Sequence, residues 1–417
     1  MMINDWGRRM RPGGDNMSRR FVVRATGPAR PGQLAALATA LTSADVTLLD
    51  MSQHVTFGEL TLEALVQSGD GVDVTSLLCG AGDACGLDCR VEPLSEAPRV
   101  PAAETPSRWI LTLMGASISA EVVAEVGALT AEQGLIVERV KRLSGEETTQ
   151  SVAGVCFEWR LCGDVLDSVA LRERVLALSE RYAIDMALQP ATVWRRQARL
   201  VCFDMDSTLI QAEVIDELAR RHGVYHEVAE VTARAMRGEL DFQQSFRERM
   251  RKLEGLDESV LEEIAQSLPL MPGVESLMAH LKRLGYRTAI LSGGFTYFAR
   301  HLQARLGFDE IHANELVIRD GKVTGEVAEP IVDAERKAMM LARIAEREGW
   351  EMAQTIAVGD GANDLKMLAA AGMGVAFHAK PLVRRQARQS VSVMGLDGLL
   401  YLLGYSAAEL AEVMAAD

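Results

Sequence analysis

The chain has 417 residues, of which 48% are apolar and 24% charged. That is ordinary globular usage and sets aside collagen-like, low-complexity and largely disordered classes. The net charge of −14 argues against a protein that grips nucleic acid or an anionic membrane by bulk charge. An acidic chain binds phosphate only where a metal or a local positive cluster offsets its charge.

Length suggests two to three domains. Residues 1–19 are polar, rich in Arg and Gly, and lack the apolar stretch of a signal peptide. They read as a disordered leader, with Met17 a second candidate start. A first block, 20–94, opens with the apolar strand Phe21-Val22-Val23. Leu34, Leu37, Ala38 and Leu41 then fall at helical spacing after Pro31, a residue suited to a first helical turn. Strand patterns at Val46–Val55 and Glu59–Val66, a short helix, and a strand at Leu87–Val91 complete a βαββαβ order. Pro93, Pro98, Pro101 and Pro106 disfavour regular structure, so 95–107 reads as a linker. The block 108–195 repeats the order. Its strands fall at Trp109–Met114, Leu135–Leu143, Ser151–Leu161 and Ile184–Leu188. One helix is capped by Ser119 and ends before Gly134; another covers Val165–Tyr182.

Residues 196–417 change character. Apolar strands at Leu200–Phe203, Thr288–Leu291, Thr355–Val358 and Gly374–Phe377 alternate with helical patterns, the signature of a doubly wound parallel sheet. A charged helical insertion, about 213–284, reads as a cap. A hairpin is predicted within Ile311–Val327, turning at Asp320-Gly321.

Six cysteines, Cys79, Cys85, Cys89, Cys156, Cys162 and Cys202, are too sparse for a secreted disulfide framework and fit a reduced, cytoplasmic compartment. No zinc-type pair accompanies the first three. No run of about eighteen apolar residues exists, so no transmembrane helix is predicted.

Four short motifs carry the chemistry. Phe203-Asp204-Met205-Asp206-Ser207-Thr208 ends an apolar strand with two acids at i and i+2, which face the same way along an extended chain. A carboxylate pair of this kind needs a cation or a proton between its members. Leu291-Ser292-Gly293-Gly294 offers a hydroxyl and backbone N–H groups that approach an anion closely. Lys337 stands near a helix start. Gly359-Asp360-Gly361-Ala362-Asn363-Asp364 places hard oxygen donors, of the type Mg²⁺ prefers, after another strand. Singly, each has an ordinary structural account: a capping loop, a turn, a solvated lysine. Cys202 reads as a buried, inert thiol, and His378 as a surface or packing residue. Lys380, Arg384, Arg385 and Arg388 read as a solvated basic face.

Together and in this order, the motifs resemble the haloacid dehalogenase superfamily. The insertion, with Met236, Arg237-Gly238-Glu239-Leu240-Asp241-Phe242 and Ser245-Phe246-Arg247-Glu248-Arg249, resembles the cap of phosphoserine phosphatases. The two βαββαβ blocks are similar to ACT domains, ferredoxin-like modules that commonly sense amino acids. Ala29 stands where many of them carry an acid in the first loop. The fold class implied is α/β, a doubly wound haloacid dehalogenase-like domain with a helical cap, preceded by two ferredoxin-like domains.

The resemblance implies Mg²⁺-dependent hydrolysis of O-phospho-L-serine, the last step of serine biosynthesis, through an aspartyl-phosphate. Asp204 would be the nucleophile and Asp206 the general acid and base. Asp204, Asp360, Asp364 and the Asp206 carbonyl would serve the metal. Ser292, Gly293, Lys337 and Asn363 would serve the phosphate, Glu213 the ammonium and Arg249 the carboxylate, while Met236 and Phe242 shield the pocket. Another small phosphorylated amino acid or alcohol as substrate, or an amino-acid sensor with weak catalysis, are the alternatives. The partners expected are a small-molecule substrate, an amino-acid effector at the ACT-like blocks and a second copy in a homodimer, with no nucleic acid and no membrane.

Overall fold

The structure, a computed structural model, describes residues 19–43, 46–69, 71–94, 107–145 and 154–415. The expected leader and linker lie outside the described residues, save Arg19 and Ser107. The chain divides into two compact units, one up to Thr105 and one from Pro106.

The first unit holds β1 (Arg19–Pro28), α1 (Gln33–Ser43), β2 (Thr47–Thr56), β3 (Glu59–Ser68), α2 (Val74–Cys85) and β4 (Asp88–Pro93). The strands form an antiparallel sheet ordered β2-β3-β1-β4. Asp73 starts α2 by accepting from the Ser76 N–H (3.1 Å), and Gly86 ends it in the left-handed region at φ 76°, where a Cβ would be strained. Val23, Ala25, Leu37, Leu62, Val66 and Leu78 make its core.

The second unit begins with β5 (Arg108–Gly115), α3 (Ala120–Glu132), β6 (Ile136–Arg142), β7 (Val155–Cys162), α4 (Ser168–Tyr182) and β8 (Asp185–Pro190). Its sheet order, β6-β7-β5-β8, matches the first unit strand for strand. Ser119 caps α3 as its sequence position predicts, accepting from the Val122 N–H (3.3 Å). Helix α4 starts three residues later than its apolar pattern suggests. Asp167 accepts from the Val169 and Ala170 N–H groups and fixes the first turn there.

The rest of this unit is built on a parallel sheet: β9 (Leu200–Phe203), β10 (Arg287–Phe295), β11 (Glu310–Asn314), β14 (Thr355–Gly359), β15 (Met373–Phe377) and β16 (Gln389–Val391), ordered β11-β10-β9-β14-β15-β16. Alternation splits β9 between two cores. Val201 and Phe203 enter the larger one, Leu200 and Cys202 the one under α11 (Ala334–Glu348) and α12 (Leu365–Ala370). Burial on both faces is why these strands read as continuous apolar runs. Each fully buried Leu, Val or Phe contributes about 1.5–3 kcal/mol.

Between β9 and β10 lie α5 (Val214–His222), α6 (Tyr225–Met236), α7 (Phe242–Lys252) and α8 (Ser259–Ser267), the cap helices. The next helix, α9 (Val274–Arg283), packs on β10, α10 (Thr296–Leu306) and the last helix, Ala407–Ala415. Like α5, it contributes apolar residues to the large core on one face of the parallel sheet. The hairpin is present as β12 (Leu316–Arg319) and β13 (Lys322–Val327). Asp320 (φ 50°) and Gly321 (φ 73°) form the predicted tight turn between them, both in the left-handed region such a turn requires.

The second ferredoxin-like sheet is fixed to the parallel-sheet part of the unit by largely buried polar bonds. Asp185 accepts from the N–H groups of Ser392 (2.6 Å), Val393 (3.0 Å) and Met394 (2.8 Å). Gln389 donates to the Leu188 carbonyl (2.8 Å), and Gln189 to that of Leu402 (2.9 Å). Arg195 pairs with Glu158 and also donates to the Leu402 carbonyl (2.7 Å).

Candidate active site

The carboxyl ends of β9, β10 and β14, three neighbouring strands, converge where a parallel α/β sheet opens its ligand crevice. They carry Asp204 and Asp206, Ser292 to Gly294, and Asp360 to Asp364 respectively. Lys337 comes from the first turn of α11, set in place by Asp333, whose carboxylate accepts from the Arg336 N–H (3.0 Å).

Lys337 is fully buried and bridges two acids. Its Nζ lies 2.8 Å from Asp204 Oδ1 and 2.7 Å from Asp364 Oδ1. Burial alone would lower its pKa, but the charges and hydrogen bonds of both carboxylates hold it above the usual lysine value. Asp204 Oδ1 also accepts from the Met205 N–H (2.8 Å). The other carboxylate oxygen, Oδ2, has no protein hydrogen bond among the described residues. Asp364 has both oxygens engaged, since Oδ2 accepts from the Gly361 N–H (2.9 Å). The Asp360 carboxylate receives, among the described residues, only the hydroxyl of Thr208 (3.3 Å).

One buried ammonium does not balance this set. Burial, then the charges of Asp204 and Asp364, push the Asp360 carboxyl up to about 8. Burial and Asp204 push Asp364 to about 6, against the pull of Lys337. Oxygens of Asp204, Asp360 and Asp364 all lie within 4.8 Å of one another. Three buried, mutually repelling carboxylates with a single counter-cation are a donor set for a hard divalent cation. Asp206 contributes no carboxylate to this cluster. Desolvation first, then Glu213 and Asp204, raise its pKa well above the usual carboxylate range, which favours its protonated form.

Ser292 is fully buried, and its Oγ accepts from the Gly294 N–H (2.9 Å), so the hydroxyl proton remains for another acceptor. A side chain at 294 would displace its neighbours. A Cβ there would stand 2.7 Å from Met205 Cε and 2.9 Å from Asp206 Oδ2. At Gly293 it would stand 3.1 Å from Cζ of Phe242, which places that cap ring over the loop. Phe242 stacks on Phe246 (6.2 Å, 6°) at the start of α7, where Asp241 and Gln244 form a reciprocal cap.

Glu213 accepts from the Ser207 hydroxyl (2.9 Å). Its pKa is raised by desolvation, and the Asp204 charge adds to this. Ser207 itself adopts φ 55°, a backbone strain often found at functional sites. Arg249 has a buried Nε without a hydrogen-bond partner and makes no ion pair among the described residues. Burial lowers its pKa, against the attraction of Glu213, Asp216 and Asp206. Asn363 is half-buried beside Gly361. Met236 stands apart from the rest: it ends α6 and is 72% exposed.

The sequence reading missed several neighbours. Thr208 and Ser207 lay within the first motif, yet their hydroxyls had no assigned partner. Lys380 is exposed, as its basic stretch predicts, yet it also bears on the site. Its N–H donates to the Asp360 carbonyl (3.3 Å), and its charge draws down the carboxyls of Glu213 and Asp360. Arg384 of the same stretch pairs with Glu180 of α4 (3.3 Å) instead of facing solvent alone. Cys202 and His378 stand as expected, the first with its thiol pushed up by burial, the second against Phe377 and the Met394 carbonyl.

A haloacid dehalogenase-like hydrolase family model matches residues 198–372, and an ACT domain model matches 19–81. The chain is 40% identical over 394 residues to a phosphoserine phosphatase of Streptomyces coelicolor, covering 93% of each. It is 38% identical over 403 residues to phosphoserine phosphatase SerB2 of Mycobacterium tuberculosis, covering 95% of this chain and 96% of that one. Among solved structures, a haloacid dehalogenase-family hydrolase of Salmonella enterica serovar Typhi aligns with a TM-score of 0.62 at 29% identity, covering 71% of this chain and 98% of its own. The chain belongs to the phosphoserine phosphatase family of haloacid dehalogenase-like hydrolases and is an enzyme of the phosphatase class.

Proposed function

We propose that this phosphatase hydrolyses O-phospho-L-serine to L-serine and phosphate, the last step of a serine biosynthetic route, with Mg²⁺ as its metal. One observation carries the substrate assignment. A buried, unpaired Arg249 and the acid Glu213 flank the Asp204–Asp206 pair, a charge pattern complementary to an amino acid's carboxylate and ammonium.

Asp204 Oδ2 attacks phosphorus while Lys337 and the Met205 N–H hold Oδ1 and fix the carboxylate's orientation. The ester P–O bond breaks, and the leaving serine oxygen takes the proton of Asp206, whose raised pKa supports that role. Asp206, now a carboxylate, accepts a proton from water as that water attacks the phospho-Asp204. Phosphate leaves and Asp204 is regenerated. Ser292 O–H, backbone N–H at Gly293, Asn363 and Lys337 would bind the phosphoryl oxygens. Asp204, Asp360 and the Asp206 carbonyl would hold Mg²⁺, with Asp364 acting from outside because both its oxygens are engaged. When bound, the metal supplies charge neutralisation and Lewis-acid polarisation of a phosphoryl oxygen. Closure of α5–α8 would bring Met236 over the pocket beside Phe242 and exclude bulk water.

We also read 20–94, 108–195 and 196–417 as the three domains, a free amino acid as effector of the first two, and a homodimer. Edge strands β2 and β6 support the last, exposing Val55 (54%) and Ile136 (69%) among other apolar side chains. No helix among the described residues is long and apolar enough to cross a membrane. All six cysteines are free thiols, which supports a cytoplasmic place.

The test is phosphate release from a panel of small phosphomonoesters, with Mg²⁺ or chelator and with or without serine. A preference for O-phosphoserine that vanishes in Asp204→Asn, with circular dichroism unchanged, is expected. An active Asp204→Asn would remove the nucleophile assignment. Preference for an ester without an amino-acid group would remove the substrate.

A further inference from the structure

We propose that Asn314 is a positioning residue for the phosphate-binding loop, a role resting on the reading of Ser292 and Gly293 as phosphate ligands. The loop interrupts its own sheet. Strand β10 pairs with β11 in register to Leu291↔His312 and resumes at Phe295↔Asn314. Three residues, Ser292 to Gly294, thus stand opposite the single residue Ala313. Bulged peptides lose their ladder partners, and buried backbone groups must find others.

The Gly293–Gly294 peptide finds one at each end. Asn314 Nδ2 donates to the Gly293 carbonyl (2.8 Å), and the Gly294 N–H donates to Ser292 Oγ (2.9 Å). The second bond requires the peptide to keep this face. If it flips, the carbonyl turns toward Ser292 and the anion, and the hydroxyl loses the donor that leaves its own proton for phosphate. Two adjacent glycines give the loop no side-chain barrier to that flip. Asn314 is the one side chain among the described residues bonded to the Gly293 carbonyl.

The other end of the amide reaches further. Asn314 Oδ1 accepts from the Val332 N–H (2.8 Å). Next along, Asp333 caps the helix carrying Lys337 and accepts from Gln243 Nε2 of the cap (2.8 Å). The Thr296 hydroxyl donates to the Asn314 carbonyl (3.1 Å), and the residue is 2% exposed. One buried amide, with donor and acceptor both used, therefore sets the spacing between the loop and the segment leading to Lys337. A side-chain amide offers the donor and the acceptor from one short, planar group without any change of protonation.

The experiment compares Asn314→Asp, Asn314→Ala and Ser292→Ala for turnover of O-phosphoserine, competitive inhibition by inorganic phosphate, and thermal midpoint. The Asp variant keeps the acceptor for Val332 and loses the donor to Gly293. Both Asn314 variants should raise KM and the phosphate inhibition constant about tenfold or more. If Asn314→Ala does not fold, Asn314→Asp decides. A folded Asn314→Asp with phosphate inhibition within about twofold of wild type, while Ser292→Ala loses it, overturns the proposal. So does a lowered thermal midpoint alone, which a purely structural amide would give. If Ser292→Ala keeps full phosphate inhibition, the ligand reading fails instead, and that outcome is separately visible.

Discussion

Replacing Lys337 with methionine keeps the aliphatic stem in its fully buried slot and deletes the charge. Asp204 and Asp364 then lose bonds of 2.8 and 2.7 Å and face each other across the gap. Breaking a buried pair by removing one partner costs about 3–5 kcal/mol. For a unit of this size that corresponds to a fall in thermal midpoint of roughly 10 °C. The loss must depend on pH. The folded pKa of Asp364 is already raised, to about 6, and that of Asp360 to about 8. A carboxyl with a raised folded pKa binds more protons folded than unfolded, so its stability contribution falls as pH rises from its unfolded value to its folded one. Without Lys337 the Asp204–Asp364 repulsion is unrelieved, and this window extends upward. Scanning fluorimetry in chelator at pH 5 and pH 8 is the assay. The deficit of Lys337→Met should be largest at pH 8 and should shrink toward pH 5, where protonation replaces the missing ammonium. A variant with the wild-type midpoint at pH 8, or a deficit that grows on acidification, refutes the reasoning.

Three further outcomes follow from other parts of the structure. Arg249→Ala should raise KM for O-phosphoserine about 30-fold or more while leaving O-phosphoethanolamine, which has no carboxylate, unchanged; equal effects on both would deny Arg249 the carboxylate. Asp185→Ala strands three backbone donors at the join of the second ferredoxin-like sheet and the catalytic sheet, at a cost of about 2–4 kcal/mol. Calorimetry should show a lower midpoint, and an unchanged one would mean that water replaces the carboxylate. Glu409 is drawn down to about 2: burial opposes this, but paired bonds from Arg196 (3.0 Å each) and from Ser406 outweigh it. Its folded pKa is depressed, so its stabilisation is present above the unfolded value of 4.5 and is lost as pH falls toward 2. The pair is 48% and 41% exposed, so only about 1 kcal/mol is at stake. Acid unfolding of Glu409→Gln should lack that portion, and identical acid profiles would contradict the assignment.

Much of the molecule could be read from its residues because the deciding physics is local. Strand burial on two faces writes itself as an apolar run, a helix start as Ser119, and a hairpin turn as Asp320-Gly321. The four motifs each sit at a strand end or helix start, where short-range geometry already aims the side chains. Tertiary structure decided what depends on partners far apart in the chain. Lys337 reads as a surface lysine until two acids, 133 and 27 positions away, are folded around it. Arg384 reads as part of a solvated basic face, yet it pairs with Glu180 of α4. Asn314 carries no signal at all, because its partners, Gly293 and Val332, come from two other segments. Composition and pattern therefore determined the elements and the chemistry on offer. Only the packed structure, by removing water and bringing distant charges within hydrogen-bond reach, decided which carboxylates are pushed toward their protonated form, which cation is buried, and which amide holds the loop.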